Sequence, residues 1–178
     1  MNIPMTYEQV RDVIDDARRH GRPALLNGAH LEGVSLRGIN LRGASLQGAY
    51  LADTDLQHAC LHGAYLQSTD LRGANLREAN LQGAHLQHAN FTDTDLQGAN
   101  LQAAEVANAI FTNANLRGAN LHHVYRGIRG IDRIDLNTAR QSQRKGALFL
   151  TRMWRAVSNR LFHRTQPAEV LVVRETHV

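Results

Sequence analysis

Ten histidines, one cysteine and a scatter of carboxylates are the residues with which this 178-residue chain could do chemistry. His58/His62, His85/His88 and His122/His123 lie close in sequence, as a metal cluster would require. None of them joins Cys60 or a pair of carboxylates at the spacing of a zinc site, so no metal is expected. Cys60 lacks the nearby His and orienting group that would make it a nucleophile. The regularly spaced glycines do not form a phosphate-cradling loop. No catalytic residue and no cofactor is predicted, and the chain reads as a protein that is not an enzyme.

What positions these residues is a repeat. An apolar residue returns at every fifth place: Leu26, Leu31, Leu36, Leu41, Leu46, Leu51, Leu56, Leu61, Leu66, Leu71, Leu76, Leu81, Leu86, Phe91, Leu96, Leu101, Val106, Phe111, Leu116 and Leu121. Two places before each centre stands a small or β-branched residue, beginning Ala24, Ala29, Val34, Ile39, Ala44, Ala49 and Thr54. A helix needs an apolar return every ~3.6 residues and a flat strand every ~2. A strict five suits neither. It suits a short extended side followed by a corner, with both apolar positions inward. Four such sides close a turn of about 20 residues, and stacked turns hydrogen-bond about 4.8 Å apart as in any sheet.

Residues twenty apart should then stack. One column reads Asn40, Cys60, Asn80, Asn100, Asn120 and another Ser35, Asp55, Asn75, Asp95, Asn115. Short polar side chains that bond nearby backbone suit such places. Arg37, Arg77 and Arg117 share a third column with Gln57 and Gln97, giving a face of mixed charge that is either solvated or a candidate partner surface. His85 should stack below Glu105 and make a surface hydrogen bond with it. The glycines fall at the corners.

With twenty in-phase repeats, the stretch from Ala24 to Leu121 resembles the pentapeptide repeat proteins. The resemblance implies an all-β solenoid, a right-handed quadrilateral β-helix, here of about five coils. A lone cysteine, no basic-then-apolar leader and no apolar run of membrane length make the cytoplasm the expected compartment, and a bacterial source is expected. The best understood members of the family are dimers whose acidic, DNA-like surface engages type II topoisomerases. Residues 26–125 carry five Arg against eight acids, a net −3 that matches duplex DNA poorly.

The solenoid's ends must be covered. Thr6-Tyr7-Glu8-Gln9 is a capping-box pattern, and Val10, Val13, Ile14 and Ala17 follow at helical spacing with Tyr7 near the same stripe. Gly21 and Pro23 stop the helix. Residues 1–23 are therefore read as an N-terminal helical cap, 24–137 as the solenoid with a partial last coil, and 138–178 as a separate tail.

Residues 126–178 hold eleven Lys/Arg against four acids, so the basic balance of the chain (net +4) belongs to the tail. Over 141–163 the pattern predicts an amphipathic helix, with Leu150, Trp154, Val157 and Leu161 on one side and Arg152, Arg155 and Arg160 among the rest. It could cap the solenoid, form a homodimer or lie on an anionic membrane. Direct nucleic-acid binding is not expected. Val170–Val173 could add a short strand to an edge or belong to a disordered tail. Two readings follow. One is a scaffold presenting polar ladders to a protein partner, and the other is a modulator of DNA gyrase and its relatives.

Overall fold

The computed structural model describes residues 3–124. The sequence expectations for the partial coil to Asn137, for the helix over 141–163 with Leu150, Arg152, Trp154, Arg155, Val157, Arg160 and Leu161, and for the strand at Val170–Val173 all lie outside the described residues.

Helix α1 spans Tyr7–Arg19. Both halves of its capping box are made: the Gln9 amide N–H donates to Thr6 Oγ1 (3.3 Å) and the Thr6 N–H to Gln9 Oε1 (2.7 Å). At the other end Arg22 N–H donates to the Ala17 carbonyl (3.0 Å) and Gly21 N–H to that of Arg18 (3.2 Å). That pair of bonds is a Schellman stop, which needs Gly21 at its φ of +61°. Val10, Ile14 and Ala17 are buried, while Tyr7 remains 42% exposed. A helical side chain lies over the turn before it, and the first residue of a helix has no such turn.

From Leu25 onward the chain winds in 20-residue coils joined by sixteen parallel bridges, each linking a residue to the one twenty places on. The bridges form four columns. Side one carries Leu25, Ser45, Tyr65, His85 and Glu105, and side two carries His30, Tyr50, Asp70, Asn90 and Ile110. Side three carries Ser35, Asp55, Asn75, Asp95 and Asn115, and side four Asn40, Cys60, Asn80, Asn100 and Asn120. Each side contributes one bridge residue per coil rather than a continuous strand. The physical reason is the corner, which takes two residues of every five out of the extended conformation.

The pentapeptide Ala74–Glu78 shows how the backbone is satisfied. Ala74 N–H closes the preceding turn on the Leu71 carbonyl (3.1 Å). Asn75 N–H reaches down to Thr54 O (3.0 Å), while those of Leu76 and Glu78 reach up to Asp95 O (2.7 Å) and Gln97 O (2.9 Å). The fifth donor, Arg77 N–H, has no backbone acceptor in reach and finds the side chain of Asn75 at 3.2 Å. The same bond, from the residue after the centre to the Asn or Asp before it, occurs ten times. An unpaired buried N–H is costly, which is why these places favour Asn and Asp.

At every corner the third turn residue has positive φ, as a type II turn demands. Ten of these residues are glycine, from Gly28 to Gly118, and ten are not, including Glu78 (φ 55°) and Ala103 (φ 57°).

Inside, the twenty centres from Leu26 to Leu121 are each no more than 3% exposed. Phe91 and Phe111 stack with ring centroids 4.7 Å apart. Where Thr replaces Ala in the inner column, its hydroxyl donates to a carbonyl: Thr54 to Leu31 O, Thr69 to Leu66 O and Thr94 to Leu71 O, all at 2.7 Å. Before α1, Met5 N–H donates to His30 O (2.7 Å), extending the ladder of side two below the first coil. In that coil Ala24 and Ile39 are buried whereas Ala29 and Val34 are half-buried.

Candidate interaction surface

Outward positions carry whatever recognition the solenoid offers, because its inside is filled. On each side these are the bridge residue and the two corner residues that follow. Their chemistry differs from side to side.

Side three is charged but internally matched. Asn75 Nδ2 donates to Asp55 Oδ1 (3.1 Å) and Asn115 Nδ2 to Asp95 Oδ1 (2.9 Å). Arg77 reaches the coil above, donating to Asp95 Oδ2 at 3.2 Å and to Gln97 Oε1. Arg37 donates to Gln57 in the same way. The structure thus sets Arg37, Arg77 and Arg117 in one corner column. It ties the first two to their neighbours in the coil above. At the next corner position His58 Nδ1 lies 3.3 Å from Glu78.

Side four is almost uncharged. Asn120 Nδ2 donates to Asn100 Oδ1 (3.0 Å), Asn100 approaches Asn80 (3.5 Å), and Cys60 interrupts the ladder as a free, half-buried thiol.

Side one holds Tyr65 stacked on His85, with centroids 4.8 Å apart and planes 3° from parallel. His85 Nδ1 in turn lies 3.1 Å from Glu105 Oε2, and Gln87 Nε2 donates to the same carboxylate oxygen. Side two repeats the theme in reverse order, His30 stacking under Tyr50 (4.5 Å, 9°).

Side two is also the acidic side. Arg72 clamps Asp70 through Nε (2.8 Å) and Nη2 (2.6 Å). That hydrogen bond and charge hold the Asp70 carboxyl below its usual range, against a counter-effect of burial, and raise the Arg72 guanidinium in turn. Burial would raise the Glu32 carboxyl, but its 2.9 Å bond to His30 and its backbone bond outweigh that and lower it. Each of the three glutamates within 26–124, Glu32, Glu78 and Glu105, has a histidine within 3.3 Å. Among the described residues no group of three or more His, Cys, Asp or Glu side chains could hold a metal ion.

The Tyr–His stacks are not among the sequence expectations, although their signal is present as a spacing of twenty between Tyr65 and His85 and between His30 and Tyr50.

Residues 24–63, 59–98 and 94–125 match the family described as pentapeptide repeats (8 copies). No curated protein matches the chain. Among solved structures it is similar to a pentapeptide repeat protein of the Arabidopsis thaliana thylakoid lumen. There the identity is 27%, with 53% of this chain and 70% of that chain covered and a TM-score of 0.45. A pentapeptide repeat protein from the cyanobacterium Cyanothece 51142 is 24% identical, covering 67% of this chain and 96% of that one, with a TM-score of 0.38. A trypsin-treated variant of QnrB1, a plasmid-mediated fluoroquinolone resistance protein, is 18% identical over 68% of this chain and 82% of that chain, with a TM-score of 0.37.

Proposed function

The chain belongs to the pentapeptide repeat family and so forms a right-handed β-helix solenoid, and we propose that it works as a non-enzymatic scaffold that recognises a protein partner through its outward ladders. In this reading the helix is quadrilateral, α1 closes its N-terminal end, and the chain acts in the cytoplasm.

The observation that carries the proposal is the fixing of outward side chains by neighbours one coil away. Asn75 is held by Asp55, Arg77 by Asp95 and Gln97, Tyr65 by His85 and His85 by Glu105. A surface already ordered loses little side-chain freedom on binding. Uniform corners also leave no loop protruding between Leu26 and Leu121, so a partner meets flat sides of defined chemistry.

Photo-crosslinking tests this. A crosslinking amino acid placed in turn at Gln47, Ala52, Gln57 and Gln82 samples the four sides in living cells of the source organism. One discrete protein adduct, recovered from one side or two adjoining sides, is the expected result. Adducts absent from all four sides, with the variants folded, would end the scaffold reading.

A further inference from the structure

The solenoid's outward chemistry is divided between two halves. All four of its large apolar side chains that stand exposed among the described residues, Leu25 (57%), Tyr50 (45%), Tyr65 (41%) and Ile110 (37%), lie on sides one and two. The same two sides with their corners carry five acids (Glu32, Asp53, Asp70, Asp93, Glu105) against Arg72 alone, a net −4. Sides three and four carry Asp55, Glu78 and Asp95 against four Arg, a net +1. Exposed aromatic surface and negative charge are thus segregated together.

The two tyrosines are also aimed. Tyr65 covers His85 above it with one ring face, so its other face looks down toward the coil of Ser45, a side chain too short to reach it. Tyr50 covers His30 below, and its other face looks up at Asp70, its bridge partner in the third coil. At the level between the second and third coils the Tyr65 ring thus faces a short side chain and the Tyr50 ring a carboxylate. The corner that separates them there is uncharged, formed by Gln47 and Gly48 in one coil and Gln67 and Ser68 in the next.

We propose that this corner docks an arginine-bearing segment of a partner protein, one guanidinium lying against the Tyr65 ring over Ser45 and further basic groups facing the carboxylates of side two. A planar cation suits the site for three reasons. It stacks on an aromatic face, it fits under a ring whose stacking column is interrupted by Ser45, and it complements the charge of this half. Aromatic anchors held in place are also the residues that dominate binding energy at interfaces. The inference rests on the scaffold reading and supplies the chemistry of the partner.

The test titrates the full chain with a synthetic hexa-arginine peptide, read by NMR shifts and by isothermal calorimetry at two salt concentrations. The Tyr50 and Tyr65 ring signals are expected to move first, and hexalysine to bind several-fold more weakly. Tyr65→Ala should weaken hexa-arginine several-fold, Tyr65→Phe should retain it, and Arg117→Gln on side three should leave it unchanged. Equal affinity for Tyr65→Ala and the parent chain, with the fold intact by circular dichroism, would overturn the proposal. So would shifts centred on side three, or a hexaglutamate peptide moving the same tyrosine signals. In the crosslinking experiment, adducts confined to Gln57 or Gln82 would overturn this docking corner while leaving the scaffold reading in place.

Discussion

His85 sits one coil below Glu105 with its Nδ1 3.1 Å from the carboxylate, its ring already fixed by Tyr65 on the other face. The pair ties the fourth coil to the fifth on the surface, where an ion pair contributes little. Glu105 is 53% exposed. Glu105→Gln is therefore expected to cost less than about 1 kcal/mol in urea unfolding, with a smaller difference at high salt. A loss well above that would mean that the column acts as a unit.

Asn75→Ala should cost more, although Asn75 is only half-buried. Its carbonyl oxygen accepts from Arg77 N–H at 3.2 Å, and its amide donates to Asp55 at 3.1 Å. Truncation strands the Arg77 N–H and takes from Asp55 Oδ1 one of its two donors, leaving the Gln57 N–H. The expected loss is about 1–3 kcal/mol. Asn75→Asp, which keeps the acceptor but sets a second carboxylate over Asp55, should fall below wild type and recover toward it at acid pH.

The corners predict opposite signs for opposite swaps. Gly83 has φ +64°, and a Cβ added there would meet nothing within 4 Å, so Gly83→Ala should cost about 1–2 kcal/mol from backbone strain alone. Gly73→Ala should cost a similar amount, since the added methyl meets the exposed Asp53 carboxylate, which can swing aside. Ala103 holds φ 57° without glycine, and Ala103→Gly should raise the melting temperature or leave it level, because relief of strain outweighs or balances the freer unfolded chain.

Asp70 sets a pH dependence. Its carboxyl is held below the usual range by Arg72. The ionised form is thus favoured by folding. The contribution is complete above the ordinary carboxylate range near pH ~4 and is lost as pH falls through the lower folded value. Stability curves of the parent chain and Asp70→Asn should differ at neutral pH and converge under strongly acid conditions. A gap that stays constant with pH would exclude this ionisation as the cause.

Gyrase supercoiling should be unaffected by the purified chain at low micromolar concentration, and fluoroquinolone-trapped cleavage should not be relieved. Five coils at about 4.8 Å span roughly 24 Å, a length over which duplex DNA carries about 14 phosphates. The repeats carry eight acids offset by five Arg, and Arg77 is spent on Asp95. Inhibition or relief would make a topoisomerase the partner despite this charge.

Much of the solenoid is legible in the sequence because its period is strict. Leu26 to Leu121 fixes the coil, and the coil fixes which residues stack, so His85 under Glu105 can be read as soon as twenty is accepted as the repeat. The helix follows from its two ends, Thr6 with Gln9 and Gly21, and spans Tyr7–Arg19 between them. Tyr7 departs from its expected place because a helix's first residue has no preceding turn for its side chain to cover, which periodicity alone does not reveal. The stacked tyrosines escape the sequence for a different reason. Hydrophobic patterning asks whether a residue faces in or out, and the orientation of an outward ring depends on its neighbour one coil away. Arg77 illustrates the same limit: its column is readable, but its bond to Asp95 crosses from one coil to the next.

The four-column winding restricts how such a chain can change length. Removing or adding twenty residues shortens or lengthens the stack by one storey and leaves every later side chain on its own wall. Removing five turns all that follows by a quarter. Loss of one pentapeptide between Tyr50 and Tyr65 would carry Tyr65 to side four, on the wall opposite Tyr50, while the Leu centres stayed in phase. Insertions and deletions that the core tolerates equally would thus be sorted by arithmetic: multiples of four pentapeptides preserve the pattern of the outer surface, and any other number scrambles it.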